Sequence, residues 1–129
     1  MPPKGRTGNF QGGDLMTKFT PGPWTVCNLT DVFTEIGGEN RAGIKADSND
    51  GWQIADCNVG ITFVGGEECE LSLAEKRANA HLIAAAPELY AALKRLTEYG
   101  NVFRYRIGER NPYEQAVAAL RKARGEPDA

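Results

Sequence analysis

The pattern of hydrophobic and polar positions changes its period near residue 72. Before that point, a short β-strand is predicted at Trp24–Cys27, after a stiff proline-rich turn, and alternating runs predict two more at Ala42–Ala46 and Trp52–Cys57. Two further runs are candidates: Val32–Ile36, and Val59–Val64, which reads equally as a loop lining a pocket. After residue 72, apolar residues recur at three- and four-residue steps, which predicts helices. The order indicates an α+β fold, with a small N-terminal antiparallel β-sheet followed by two to three C-terminal α-helices packed on it.

The start of the first helix carries its own signal. Ser72 followed three residues later by Glu75 forms a capping box, so we expect a helix from 73 to about 86. Pro87 removes a backbone donor and predicts either a kink in one long helix or a close break with Pro87 opening a second. A kinked or closely broken pair is the favoured outcome, because the apolar stripe keeps its phase across Pro87. Gly100 and Asn101 should end this helical region.

The C-terminal segment predicts one more helix. Asn111 at the N-cap, Pro112 at the first position and Glu114 two residues later are typical of a helix start, so the helix should run from Pro112 to about Arg124. Its inward side should contain Tyr113, Val117 and Leu120. Between the helical regions, Val102–Ile107 forms a short alternating run.

An amide lies on the predicted apolar stripe of the first helical region. The stripe consists of Leu82, Ile83, Ala86, Leu89, Tyr90, Leu93 and Leu96. Asn79 precedes Ile83 by four residues and so shares its face. An unpaired buried amide costs about 1–3 kcal/mol. We therefore expect Asn79 to be satisfied either by the protein's own backbone or by a ligand.

Composition places the chain among ordinary globular proteins. At 129 residues, 41% hydrophobic and 25% charged, it is long enough for one domain with a core, which we assign to residues 19–129. Residues 1–18 are rich in glycine, proline and polar side chains, so we expect them to be disordered or to come from a cloning vector. Apolar runs are too short to span a membrane, and the N-terminus lacks a secretory signal. The expected location is a reducing cytosol.

The sequence offers little for catalysis. Cys27, Cys57 and Cys69 form no C-x-x-C pair and read as reduced, half-buried residues. His81 is the single histidine and lies two places from Asn79, on another helical face. We therefore predict a protein that is not an enzyme, with no catalytic residues, no metal and no cofactor.

Charge is distributed unevenly. Residues 19–75 contain ten acidic and two basic side chains, whereas residues 76–129 contain ten basic and six acidic ones. The acidic half argues against binding duplex DNA, but the basic half suits a small phosphorylated ligand. Aromatic side chains that could stack on a nucleobase lie near the arginines in the sequence. Trp24 is a further candidate for stacking, although it is expected in the first place to be a core residue. The candidate ligand-binding residues are Asn79, Arg95, Phe103, Arg104, Arg106 and Trp24.

Three segments carry a resemblance to a known group: Thr20-Pro-Gly-Pro-Trp24, Asn79-Ala-His-Leu-Ile-Ala-Ala-Ala-Pro-Glu-Leu89 and Ala123-Arg-Gly-Glu126. Over about residues 20–126 the chain resembles small bacteriophage accessory proteins, and among them the Thoeris anti-defence sponge family. That family sequesters cyclic ADP-ribose isomers made by bacterial TIR immune enzymes, and some members also hold cyclic trinucleotides of CBASS signalling.

The resemblance implies an N-terminal sheet, C-terminal helices, and homo-oligomers built from dimers with ligand sites between subunits. Only Asn79 carries over as a ligand-contacting position, because the cationic residues are assigned by chemistry. The expected function is capture of a cyclic nucleotide immune signal without cleavage. The alternative from the residues themselves is a phage protein-interaction module that inhibits a host defence enzyme through its acidic end.

Overall fold

The chain forms an antiparallel sheet, a separate β-hairpin and a helical region, in that order. The structure is a computed structural model that describes residues 18–98 and 111–127. The sheet has the order β1 (Trp24–Cys27), β2 (Asp31–Thr34) and β3 (Gln53–Asp56), and the hairpin pairs β4 (Thr62–Val64) with β5 (Glu67–Cys69). The described helices are α1 (Leu73–Ala84), α2 (Ala86–Glu98) and α3 (Pro112–Ala123). The predicted α+β class is therefore confirmed.

The three-stranded sheet has a tight first turn and a register shift. Asn28 and Leu29 both have positive φ angles, 53° and 70°, in the turn between β1 and β2. Opposite β3, Val32 pairs with Ala55 while the next residue, Phe33, pairs with Gln53, so β3 has one extra residue at this point. Val32 is fully buried and is the largest completely buried side chain among the described residues.

The strand predicted at Ala42–Ala46 is wrong. This segment is a loop with a single isolated bridge between Glu39 and Lys45. The Asn40 side-chain oxygen accepts hydrogen bonds from the backbone N–H groups of Ala42 and Ile44, at 3.0 and 2.9 Å. A local side-chain acceptor thus takes the donors that a neighbouring strand would have needed.

The second candidate run, Val59–Val64, is a strand only at its end. β4 begins at Thr62, and Gly65 and Gly66 form the following turn with φ angles of 59° and 86°. Two successive positive φ angles match the twist of a tight hairpin, so β5 follows directly. The sequence analysis did not predict β5, because its glutamates are poor strand formers.

Helix boundaries follow the predicted capping residues. The Ser72 hydroxyl accepts from the N–H of Glu75 at 3.1 Å, and the Asn111 side chain accepts from the N–H of Tyr113 at 2.9 Å. α1 and α2 are separated only by Ala85, with Pro87 at the second position of α2, so the predicted closely broken pair is confirmed. Residues 1–17 and the predicted short run 102–107 lie outside the described residues.

The core lies where α1 covers β1 and β2, and α3 packs against α2. Its buried apolar side chains among the described residues are Val32, Ala80 and Leu120. The predicted apolar stripe divides between two faces. Ile83, Ala86, Tyr90 and Leu93 are half-buried, but Leu82, Leu89 and Leu96 are 66%, 53% and 49% exposed. The stripe is wider than the face that the sheet and α3 cover.

Candidate functional site

Two of the sequence motifs contact each other. Gly22, in the turn before β1, lies against Pro87 of α2, such that a Cβ added to Gly22 would be 2.7 Å from the Pro87 Cβ. A side chain at residue 22 would therefore require the turn or the helix to move. The close approach explains why the proline-glycine turn and the Ala-Pro-Glu segment occur together in this chain.

Aromatic rings extend this contact. The Phe19 ring packs edge-to-face with Trp24 and with Tyr90, at centroid distances of 6.3 and 5.1 Å. The Trp24 indole N–H donates to the Thr20 carbonyl at 3.2 Å, so its polar atom is already occupied. Trp24 is half-buried, and the structure gives it a packing role. Its role as a ligand plate stays a prediction.

The third motif reaches the same place from the C-terminus. The Arg124 Nε donates to the Tyr90 hydroxyl at 2.8 Å, and the guanidinium carbon lies 5.7 Å from the Tyr90 ring centre. All three motif segments therefore meet at one cluster. We call it the motif junction and define it as Phe19, Gly22, Trp24, Pro87, Tyr90 and Arg124.

Asn79 is not on a buried face. It is exposed on α1 and makes no hydrogen bond to any residue within 18–98 or 111–127. The expectation of a buried amide is therefore wrong, since the inward side of α1 is formed by Lys76, Ala80 and Ile83. The subunit therefore does not need Asn79 to be paired with its backbone or with a ligand in order to be stable. The exposed amide can contact another molecule.

The other predicted ligand residues lie on different elements from Asn79 or outside the described residues. Arg95 is exposed on α2, beyond the break at Ala85 that separates α2 from the helix of Asn79. Phe103, Arg104 and Arg106 lie outside the described residues.

Lys76 is a buried cation that the sequence analysis missed. It is 7% exposed on α1, and its Nζ donates to the Asn58 side-chain and backbone oxygens, at 2.9 and 3.3 Å. It also pairs with the Glu70 carboxylate at 2.6 Å. The signal available in the sequence was its position four residues before the buried Ala80, on the same helical face.

The β4–β5 hairpin exposes an apolar and acidic surface. Phe63 is 65% exposed and lies directly across from Glu68, while the exposed Val64 lies across from Glu67. Every residue from 58 to 75 is exposed. Because successive strand residues point to opposite sides, each face of the hairpin carries one exposed apolar side chain beside one carboxylate.

Metal-binding groups and membrane-spanning elements were also sought. Within the described ranges, no three His, Cys, Asp or Glu side chains lie close enough together to hold a metal ion. The cysteines are free thiols, half-buried at Cys27 and Cys57 and exposed at Cys69. None of the helices that the structure describes is both long and apolar enough to cross a bilayer.

A known family model matches most of the chain. The family model described as Salmonella phage P22 protein Y8K6 matches residues 15–127, which include all three motif segments. The chain belongs to this family. The Y8K6 match supports a bacteriophage origin and does not extend to the sponge family that the motifs resemble. No curated protein and no solved structure matches the chain.

Proposed function

We propose that this member of the Y8K6 family is an anti-defence protein that binds a cyclic nucleotide immune signal and sequesters it without cleavage. The observation that carries the proposal is the exposed carboxamide of Asn79, which the described parts of the subunit leave unused. It lies one helical turn from Leu82, which is also exposed. The pair offers donor and acceptor groups beside an apolar surface.

This pair suits one part of such a ligand. A carboxamide both donates and accepts, so it can read the edge of a nucleobase while the leucine contacts the ring face. The phosphates require cations, and the residues predicted for them are Arg104 and Arg106, with Arg95 as a third. The ligand class itself comes from the resemblance of the helix motif, and cyclic ADP-ribose isomers are the first candidates.

Replacing Asn79 with alanine tests the proposal. The free variant should melt as the parent does, because the exposed amide has no described partner to lose. Its affinity for a cyclic ADP-ribose isomer should fall about tenfold, since one to two hydrogen bonds are lost. Titration calorimetry against cyclic ADP-ribose isomers and cyclic trinucleotides measures this, and Arg104→Glu and Arg106→Glu should weaken the same binding.

Gln115→Ala is the matched control, because Gln115 is an exposed helical amide on α3. It should bind as the parent does. Ligand recovered intact after heat denaturation of the complex would distinguish capture from cleavage. Equal affinity of the parent and Asn79→Ala would exclude Asn79 from the site, and no binding by the parent across the panel would reject the proposal.

The exposed hairpin favours a second candidate, an interaction module that inhibits a host defence enzyme. Phe63 beside Glu68 would fit a basic surface with an apolar pocket. If this candidate is right, Phe63→Ser should abolish the protein's protection of phage plaques on a defence-carrying host, and Asn79→Ala should not. The opposite pair of results would support ligand capture.

A further inference from the structure

Ala85, which precedes α2, and one face of α2 form a regular apolar row. Ala85, Leu89, Ala92 and Leu96 follow one another at steps of four, three and four residues, which places them along a single stripe. Leu89 and Leu96 are about half exposed, Ala92 is exposed and Ala85 is half-buried. We call these four residues the outer row.

The outer row is not the side of α2 that the rest of the subunit uses. Tyr90 contacts Phe19 and Arg124 in the motif junction, and the half-buried Leu93 and Thr97 lie on the same side as Tyr90. The inward and outward faces are therefore distinct, and the described residues leave the outer row accessible to another molecule.

Two opposite charges lie beside the outer row. Glu88 and Arg95 are both exposed, each one residue before a leucine of the row, and they are separated by seven residues. Neither makes an ion pair or hydrogen bond within the part of the chain that the structure describes. Because seven residues span about 10 Å of helix, they cannot pair with each other.

We propose that the outer row binds the outer row of a second copy of this chain, with the two α2 helices antiparallel. The twofold axis passes between residues 90 and 91. In this register Leu89 packs against the partner's Ala92, and Leu96 against the partner's Ala85. Each large side chain meets a small one, which lets the helices approach closely and pack knobs into holes.

The same register also satisfies the charges. It places Glu88 beside the partner's Arg95, and by symmetry Arg95 beside the partner's Glu88. A shift of one heptad in either direction would place Glu88 beside the partner's Glu88, or Arg95 beside the partner's Arg95. A parallel arrangement would instead place Glu88 beside the partner's Leu93. Charge complementarity thus selects one orientation and one register.

This pairing goes beyond ligand capture and does not depend on it. Arg95 contacts a carboxylate in the dimer, so the phosphate role predicted for it would pass to other arginines. The interface is narrow, because each chain contributes only two leucines, Leu89 and Leu96, to its centre. Small interfaces associate weakly. We therefore expect a dimer that dissociates in the micromolar range.

Charge reversal with sedimentation equilibrium tests the pairing in the absence of nucleotide. Glu88→Arg and Arg95→Glu each convert two attractive contacts per dimer into two repulsive ones, and should weaken dimerisation about tenfold. The double variant Glu88→Arg/Arg95→Glu should recover the parental affinity. An equimolar mixture of the two single variants should form heterodimers, because all contacts between the unlike chains are attractive.

The matched control lies on α3, where Glu114 and Arg121 have the same charges at the same seven-residue spacing. Their reversal should leave dimerisation unchanged, and circular dichroism checks that all variants fold. A parent that remains monomeric at several hundred micromolar would overturn the proposal. Single variants that dimerise as the parent does, or a mixture that shows no recovery, would also overturn it.

Discussion

Replacing Tyr90 with alanine is expected to lower the free energy of unfolding by about 3 kcal/mol, the low end of the range for losing a large aromatic side chain. Tyr90 is the centre of the motif junction, because it contacts Phe19 through its ring and Arg124 through its hydroxyl. Its loss would separate the segment before β1 from α2 and α3 at once. The low end applies because Tyr90 is only half-buried.

Tyr90→Phe separates the ring from the hydroxyl. It keeps the edge-to-face contact with Phe19 and removes only the hydrogen bond from Arg124, so the expected loss is about 1 kcal/mol. Tyr113→Ala serves as a control, because it makes the same change in side-chain size at a half-buried position of α3 outside the motif junction. Urea unfolding followed by circular dichroism gives all three values. Equal losses for Tyr90→Ala and Tyr90→Phe would contradict a packing role for the ring.

The contacts in the motif junction show what the three motif segments do in the structure. The segments that carried it, around Gly22, Pro87 and Arg124, are the ones that hold the chain's entry turn, α2 and α3 together. Their contacts are packing contacts inside the subunit, whatever the protein binds. The motifs therefore support the phage family and say little about the ligand, and the Y8K6 match bears on the family alone.

Local signals predicted the local structure. Ser72 and Asn111 cap α1 and α3 through their own side chains, and the proline-rich turn before Trp24 led to the right bounds for β1. In each case the deciding interaction spans a few neighbouring residues. Pro87 likewise predicted the break between α1 and α2, because its ring and missing donor act within one turn.

Predictions that rested on alternation or periodicity alone were less successful. The run at Ala42–Ala46 alternates like a strand, but the Asn40 side chain takes its backbone donors. Asn79 shares a helical face with Ile83, yet the sheet covers only the neighbouring face, so the amide is exposed. Periodicity gives the relative positions of residues around a helix. It does not give the width of the surface that covers them.

Lys76→Ala is expected to lower the free energy of unfolding by about 3 kcal/mol, an effect that charge counting would not predict. The substitution removes a buried aliphatic stem and the hydrogen bonds that Lys76 donates to Asn58 and Glu70. Hydrogen bonds to a charged group contribute about 1.5–3 kcal/mol each. These bonds join α1 to the loop after β3 and to the segment after the hairpin, so both should loosen together.

Two further variants identify the cause. Lys76→Met keeps most of the stem and should lose about half as much, because the Glu70 carboxylate left without its partner is exposed and can be hydrated. Arg77→Ala removes the same charge from the next position of α1, where the side chain is exposed, and should change stability by less than about 0.5 kcal/mol. Thermal and urea unfolding of the three variants give the comparison. If Lys76→Ala cost no more than Arg77→Ala, the cation would not be holding α1 to the hairpin. If Lys76→Met cost as much as Lys76→Ala, the hydrogen bonds rather than the stem would carry the effect.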